Sequence, residues 1–437
     1  MDNIFVGVAG LIGLLLLLLI RVPVGTAMII IGTTGYAIVH PRGISMALAN
    51  LGSEAFNIST VYSLTILPLF ILMGNLAGVS GMSRDLYSAA HAWFGHLRGG
   101  LASSTIVGCA GFSALSGSSL ASAVTMGRVA LPEMQRYKYD DALATGTIAA
   151  GGTLGILIPP SAGFVVYAIL TEESIGRLFI AGVLPGIMLS SLFVIVIWFQ
   201  VLRNPSLAPL SSDKPRLSVR LAALVRAFWI IAVIVVTIGG IYGGVFDAVE
   251  AAAIGAFLSL VVCVVRGKVR WLDMKEALLN TLNSTATSFY ILIGAFVFTP
   301  FIALSGIPVA LSDWLIQLDT DVTTVLLICL GTFVLLGTFM EGFAILVLTL
   351  PLVQPIMEGY GVDMIWFGVL MVIILEMGLI SPPVGVNVFV VKSIAPNVSL
   401  NRIFRGIWPF WIAMLVAIVI LLVFPEIALY LPNRMFG

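Results

Sequence analysis

From Ile4 to Ile20 the chain runs without a charged residue or a proline, and comparable apolar stretches recur to its end. Runs near 4–20, 23–39, 61–78, 142–170, 179–202, 227–244, 249–265, 285–304, 364–392 and 407–424 each approach or exceed the ~20 helical residues that cross a bilayer. That pattern admits few folds, because in lipid every backbone amide and carbonyl must be satisfied within the protein. Composition agrees: hydrophobic residues make up 60% and charged residues 10% of the 437, against ~45–50% and ~25% in soluble domains. Mean hydropathy is +1.13. A water-soluble chain this apolar could not cover its own surface. The expected fold class is therefore an all-α integral membrane protein. A net charge of zero argues against nucleic acid as a partner. Cys109, Cys263 and Cys329 lie scattered in apolar stretches without CxxC or metal-ligand spacing, and read as small core residues.

The leucine run 14–19 resembles a signal-peptide core, but Asp2 rather than Lys or Arg precedes it and no small-residue cleavage site follows. Residues 4–20 thus read as a retained span, with the N-terminus outside and Arg21 inside. Basic residues fix the remaining loops. Arg203, Lys214, Arg216, Arg220 and Arg226 form one cytoplasmic loop, and Arg266, Lys268, Arg270 and Lys275 another. Two further runs, 101–131 and 323–357, are interrupted by "SALSGSSLAS" and "GTFMEG". The first is flanked by Arg84, Arg98, Arg136 and Lys138. The second lies where no Lys or Arg occurs between Lys275 and Lys392, beside Asp313, Asp319, Asp321, Glu358 and Asp363. Re-entrant hairpins entering from opposite sides fit both runs; pairs of complete spans would leave the same outer topology.

Two proline pairs, Pro159-Pro160 and Pro382-Pro383, break apolar stretches 223 residues apart (382 − 159). Gly155/Gly378, Pro132/Pro355 and Met134/Met357 share that offset. "SIGRLF" and "SLNRIF" match at 225, Gly182/Pro185 and Gly406/Pro409 at 224, and Met46/Met274, Tyr62/Tyr290 and Phe70/Phe298 at 228. A nearly constant offset predicts an internal repeat, and the charge map gives its two copies opposite orientation. Inverted repeats with interrupted helices at the midplane are the architecture of secondary transporters. Proline removes an amide donor, and the carbonyls so freed are tolerable at membrane depth only where they line a cavity or bind something.

The stretches "GILIPPS", "GLISPPVGVNVFVV", "LPLFILMGNL" and "SALSGSSLAS" resemble the large, DctM-like membrane subunit of TRAP (tripartite ATP-independent periplasmic) transporters, over essentially the whole chain. The resemblance implies a sodium-driven importer of an organic acid (a carboxylate), working by an elevator motion in the bacterial inner membrane. It implies two partners, a small DctQ-like membrane subunit, expected as a separate polypeptide, and a DctP-like periplasmic substrate-binding protein. Na⁺ is the implied coupling ion, with no organic cofactor and no transition metal. Carried onto this sequence, one sodium site involves Ser113, Ser116 and Ser119 with Gly155, Ile158 and Pro159. The other involves Gly337 and Thr338, in the 337–342 tip, with Gly378, Ser381 and Pro382. Hydroxyl and carbonyl oxygens suit a hard cation. Ser118, Ser161, Glu341 and Asn387 are the candidates for the substrate path.

Glu341 and Glu376 stand out because ionisable residues at membrane depth mark functional sites, although either also suits a wet interface or a helix N-terminus. Asn387 reads equally as a substrate contact or a helix-end hydrogen bond. His91 and His96 fall in "RDLYSAAHAWFGHLRG", which with 267–282 reads as an amphipathic interfacial helix. The expected organisation is scaffold spans in 1–42, repeat 1 in 43–202, a cytoplasmic linker in 203–226, connecting spans in 227–266, repeat 2 in 267–424 and a tail in 425–437. That gives ten spans and two re-entrant hairpins. An intramembrane serine hydrolase built on Ser116 would need a general base, and nothing places a histidine at that depth. An ATP-driven pump would need a Gx4GK[ST] loop, which is absent. A stand-alone sodium or proton symporter of the same architecture, or a channel, remains as the alternative.

Overall fold

The computed structural model describes residues 3–209, 215–267, 269–317 and 320–436. Asp2, Lys214, Lys268 and Asp319, used above for topology, lie outside them. All regular structure among the described residues is helical. In the first half, α1 (Asn3–Leu19) and α2 (Val24–Val39) precede α3 (Gly43–Thr60), α4 (Ile66–Val79) and α5 (Met82–Phe94). A hairpin of α6 (Gly100–Ser116) and α7 (Ser119–Arg136) follows, then α8 (Asp141–Leu157), α9 (Ala162–Thr171) and the long α10 (Ile175–Arg203). The connection carries α11 (Leu217–Arg226), α12 (Phe228–Tyr242) and α13 (Ala248–Arg266). The second half consists of α14 (Trp271–Ser305), α15 (Ile307–Gln317), α16 (Val322–Gly337), α17 (Gly342–Gly359), α18 (Met364–Leu379), α19 (Val386–Ile394), α20 (Leu400–Val423) and α21 (Glu426–Phe436).

Six helices are long and apolar enough to cross a membrane on their own, and two bent pairs raise this to eight. The shorter apolar helices, α1, α2, α6, α16 and α18, run to 16 or 17 residues, about 24–26 Å at 1.5 Å per residue. Elements recur at a steady spacing: α7 and α17 begin 223 residues apart (342 − 119), as do α8 and α18 (364 − 141). Their capping chemistry recurs too. Asp140 accepts from the Ala142 and Leu143 amides, and Asp363 accepts from Ile365 and Trp366, each satisfying two orphan donors of its helix start. Cross-half contacts fix how these helices run. Arg402 at the start of α20 pairs with Asp140 before α8 at 2.8 Å, while the Tyr167 hydroxyl near the end of α9 donates to the Met364 carbonyl at the start of α18.

Glycines let the helices approach closely. Gly25 and Gly32 of α2 face Tyr290, Gly294 and Phe298 of α14, and Gly146 of α8 faces the backbone of Gly406 in α20.

Four local expectations are corrected. The interfacial helix 267–282 and the span 285–304 form one helix, α14, of 35 residues, because no proline or glycine separates them and Gly306 (φ +73°) supplies the first stop. Its first-half counterpart is two elements, α3 and α4, parted at Val61 by a 3₁₀ turn over Tyr62–Thr65. The stretch read as linker contains α11, bent 58° from α12 and held to α5 by Arg220, whose guanidinium stacks 5.8 Å from the Trp93 ring. The tail folds as α21 against α10, and α15 occupies residues for which no element was expected.

Candidate functional site

Each proline pair does what its chemistry requires. A helix carbonyl bonds the amide four residues on, so Pro159 and Pro160 deprive the Gly155 and Ile156 carbonyls of donors, and Pro382 and Pro383 deprive those of Gly378 and Leu379. The α8–α9 axis bends by 41° there. Some freed oxygens are re-satisfied locally. The Ser161 hydroxyl donates to the Ile156 carbonyl and accepts from the Phe164 amide at 3.2 Å, capping α9. The Gly378 carbonyl accepts from the Ser381 amide at 2.9 Å. Both proline pairs contain a cis peptide bond.

A hairpin tip meets each break. In α6–α7 the chain turns at Gly117 (φ +56°) and restarts at Ser118, whose side chain caps Ala121. The Gly117 carbonyl accepts from the Ala162 amide across the break at 3.3 Å. The other half repeats this contact: the Thr338 carbonyl, between α16 and α17, accepts from the Gly385 amide at 3.3 Å. Glycine makes such closeness feasible. A Cβ on Gly155 would lie 2.5 Å from the Ser118 carbonyl oxygen, one on Gly337 2.8 Å from the Gly378 Cα, and one on Gly378 2.6 Å from the Gly337 Cα. Backbone meets backbone at both places.

The structure therefore brings Ser116, Ser118 and Ser119 together with Gly155 and Ser161 at one tip–break pair, and Gly337 and Thr338 with Gly378 and Ser381 at the other. The Ser116 and Ser122 hydroxyls bond each other at 2.7 Å. Ser113 lies one turn back in α6; its hydroxyl donates to Cys109 and its carbonyl accepts from the Gly117 amide. Ile158 packs toward Gly186 of α10, while Pro159 and Pro382 act through the amides they lack. The Ser381 hydroxyl donates to the Met377 carbonyl at 2.6 Å and accepts from the Trp411 indole at 2.8 Å.

Both tips and both breaks open onto one cavity of about 350 Å³, lined at the first tip by Ser116, Ser118 and Ser119 and at the second by Glu341 and Gly342. Glu341 is accessible within it. Sequence reasoning missed the opposite wall, where Asn283, Ser284, Thr287 and Ser288 of α14 face the cavity with Asn75 of α4. The signal was present: these four form two i, i+4 pairs in "NSTATS", one polar face on an otherwise apolar helix. Glu376 and Asn387 sit deeper, 1% and 0% exposed. Among the described residues neither side chain has a hydrogen-bond partner of ordinary geometry.

The fold matches the crystal structure of the Alcanivorax borkumensis YdaH transporter with a TM-score of 0.62, at 17% identity and over 90% of each chain. The two chains thus share one all-helical membrane fold. Residues 11–427 match the family described as "Tripartite ATP-independent periplasmic transporter, DctM component". Over 392 residues the chain is 36% identical to the C4-dicarboxylate TRAP transporter large permease protein DctM of Pseudomonas aeruginosa, covering 89% of this chain and 90% of that one. It is 29% identical to the sialic acid TRAP transporter large permease protein SiaM of Vibrio cholerae, covering 98% and 99%. The chain belongs to the DctM family of TRAP transporter large permeases. It is a multi-pass inner-membrane transport component and not an enzyme.

Proposed function

We propose that this chain is the translocating subunit of a sodium-driven importer of an organic acid, receiving its substrate from a DctP-like periplasmic binding protein and working beside a DctQ-like small membrane subunit. The single cavity shared by two hairpin tips and two proline breaks carries this reading. Na⁺, the co-transported substrate, takes the carbonyl oxygens released at Gly155 and Gly378 together with tip oxygens, the hydroxyls of Ser116 and Ser119 at the first and the Gly337–Thr338 backbone at the second. Oxygen-only donors without a compensating fixed charge suit a hard monovalent cation that must also leave. An ion at either place ties a tip to its broken helix and so orders the cavity before substrate arrives.

Half-helix N-termini point at such a cavity and favour an anion. The two tips differ here: Ser118 precedes and Ser119 opens α7, whereas Glu341 precedes α17. The carboxylate of the substrate is accordingly assigned to the serine tip, with Ser118 and Ser161 nearest, and Glu341 faces its other end. Asn387, buried one residue beyond the cavity-lining Val386 and without a hydrogen-bond partner among the described residues, is held ready to bond substrate or ion in a rearranged state.

The recurring spacing of α7/α17 and α8/α18, with their matched Asp caps, supports two inverted repeats. In this reading the hairpins are re-entrant, the N-terminus is periplasmic, and hairpins and broken helices move as an elevator against α1–α4 and α12–α14. The test is uptake against sodium concentration for Gly155, Gly378 and Ser116 variants; unchanged sodium dependence and rate in all three would reduce these loops to structural kinks.

A further inference from the structure

Away from the central cavity, two clefts meet where α5 and α7 approach α11–α13. One, of about 680 Å³, is lined by Arg84, Tyr87, Arg128, Glu133, Ala223 and Arg226; the other, of about 390 Å³, shares Arg84 and Arg226 and adds Trp229 and the Arg266–Asp85 pair. Arg266 and Asp85 neutralise each other. Arg84, Arg128 and Arg226 make no ion pair among the described residues, and all three are exposed. Against them, among the described residues lining the larger cleft, stands the carboxylate of Glu133. Three guanidinium groups lining one open cleft offer bidentate donors to an anion with several oxygens.

The surroundings indicate which anion. α11 turns one side, through Val219, Ala223 and Arg226, to the cleft, and carries Leu217, Leu221 and Val225, four residues apart, at 62%, 51% and 73% exposure. Phe228 continues this apolar strip at the start of α12. An amphipathic helix leaving a span at 58°, charged on one side and bare aliphatic on another, lies along the headgroup boundary.

We propose that this cleft binds the phosphate headgroup of an anionic phospholipid, with its acyl chains against the Leu217–Phe228 strip. The binding itself does not depend on the transport reading. Where that reading holds, the site bridges the first hairpin, through Arg128, to the connecting helices, through Arg226, so occupancy would brace a moving element against a fixed one.

The experiment uses the full-length protein in detergent, titrated with phosphatidylglycerol, with phosphatidylethanolamine of the same acyl chains, and with inorganic phosphate, and read by native mass spectrometry and thermal stability. Phosphatidylglycerol should be retained and should raise the Tm, phosphatidylethanolamine much less, and phosphate not at all at equal concentration. Arg84→Gln with Arg226→Gln should weaken phosphatidylglycerol retention about tenfold or more, while Arg270→Gln, at an exposed Arg–Asp pair elsewhere, should not. Should the double variant fail to fold, Arg128→Gln alone should still lower retention. Equal binding of the two lipids, undiminished retention in the cleft variants, or equal stabilisation by phosphate would overturn the assignment.

Discussion

A single methyl group at residue 155 should uncouple the first hairpin tip from its broken helix. The added Cβ would sit 2.5 Å from the Ser118 oxygen, 2.6 Å from its carbonyl carbon and 2.7 Å from the Ser119 nitrogen. All three are backbone atoms, so no flexible side chain can yield. Ordinary contact begins near 3.4 Å, and the tip must therefore retreat by roughly 1 Å, or the helix must shift as far, a strain of about 1–3 kcal/mol. Oxygen ligands hold a hard cation at about 2.3–2.6 Å, so a retreat of that size withdraws the tip's share of the site. At 1.4 kcal/mol per tenfold, sodium affinity should fall about fivefold to 150-fold in Gly155→Ala. The second site predicts the same for Gly378→Ala, whose Cβ would meet the Gly337 backbone. The assay is the rise in Tm with added Na⁺, potassium replacing it at constant ionic strength, because a ligand stabilises the state that binds it as RT ln(1 + [L]/Kd). Gly52→Ala and Gly331→Ala, at open positions, should leave the sodium response unchanged. A folded Gly155→Ala protein with the wild-type sodium midpoint would refute the reasoning.

Other consequences are smaller or more local. Ser116→Ala removes the 2.7 Å bond to Ser122 and one hydroxyl, about 1 kcal/mol; sodium titration should show a several-fold weaker midpoint, well short of the glycine variants. Arg402→Ala should lower Tm modestly at neutral pH, as a half-exposed pair implies. Burial works against the Asp140 charge, but Arg402 and the Leu143 and Ala142 amides outweigh it and hold the carboxyl below its ordinary range. A depressed carboxylate stabilises above its unfolded pKa and loses that contribution as pH falls through the folded value. The Tm gap between wild type and Arg402→Ala should therefore close below about pH 4, which melting curves from pH 7 to 3 would check. Cysteines at 117–118 and 338 should be labelled only slowly by impermeant reagents, whereas ready labelling from the side opposite their flanks would mean complete spans instead of re-entrant hairpins.

The parts of this fold legible in the sequence are those written in composition and in residues without alternatives. Apolar runs of bilayer length located most helices, and proline, having no amide, announced both breaks. The glycine at the Gly117 turn and the Asp caps 140 and 363 were equally local signals. What escaped depended on context. Residues 267–305 contain a polar stretch that suggested a boundary, yet Asn, Ser and Thr tolerate helix, and packing against α2 carries α14 straight through. α11, α15 and α21 are short elements stabilised by what they lie on, α5, α17 and α10 respectively, which no window of local sequence contains. The α14 wall of the cavity was missed for the same reason: its polar face is visible, but what it faces is decided by the tertiary fold. The burial of Glu376 and Asn387 likewise emerged only from packing.

The most direct test of the proposed function reconstitutes this chain in proteoliposomes with a DctQ-like small membrane subunit and a DctP-like substrate-binding protein, and measures uptake of the bound substrate under an imposed sodium gradient. The account predicts accumulation that requires all three components and an inward gradient of Na⁺, and that collapses when potassium replaces it. Specific, concentrative uptake by this chain alone, or uptake indifferent to sodium, would contradict it.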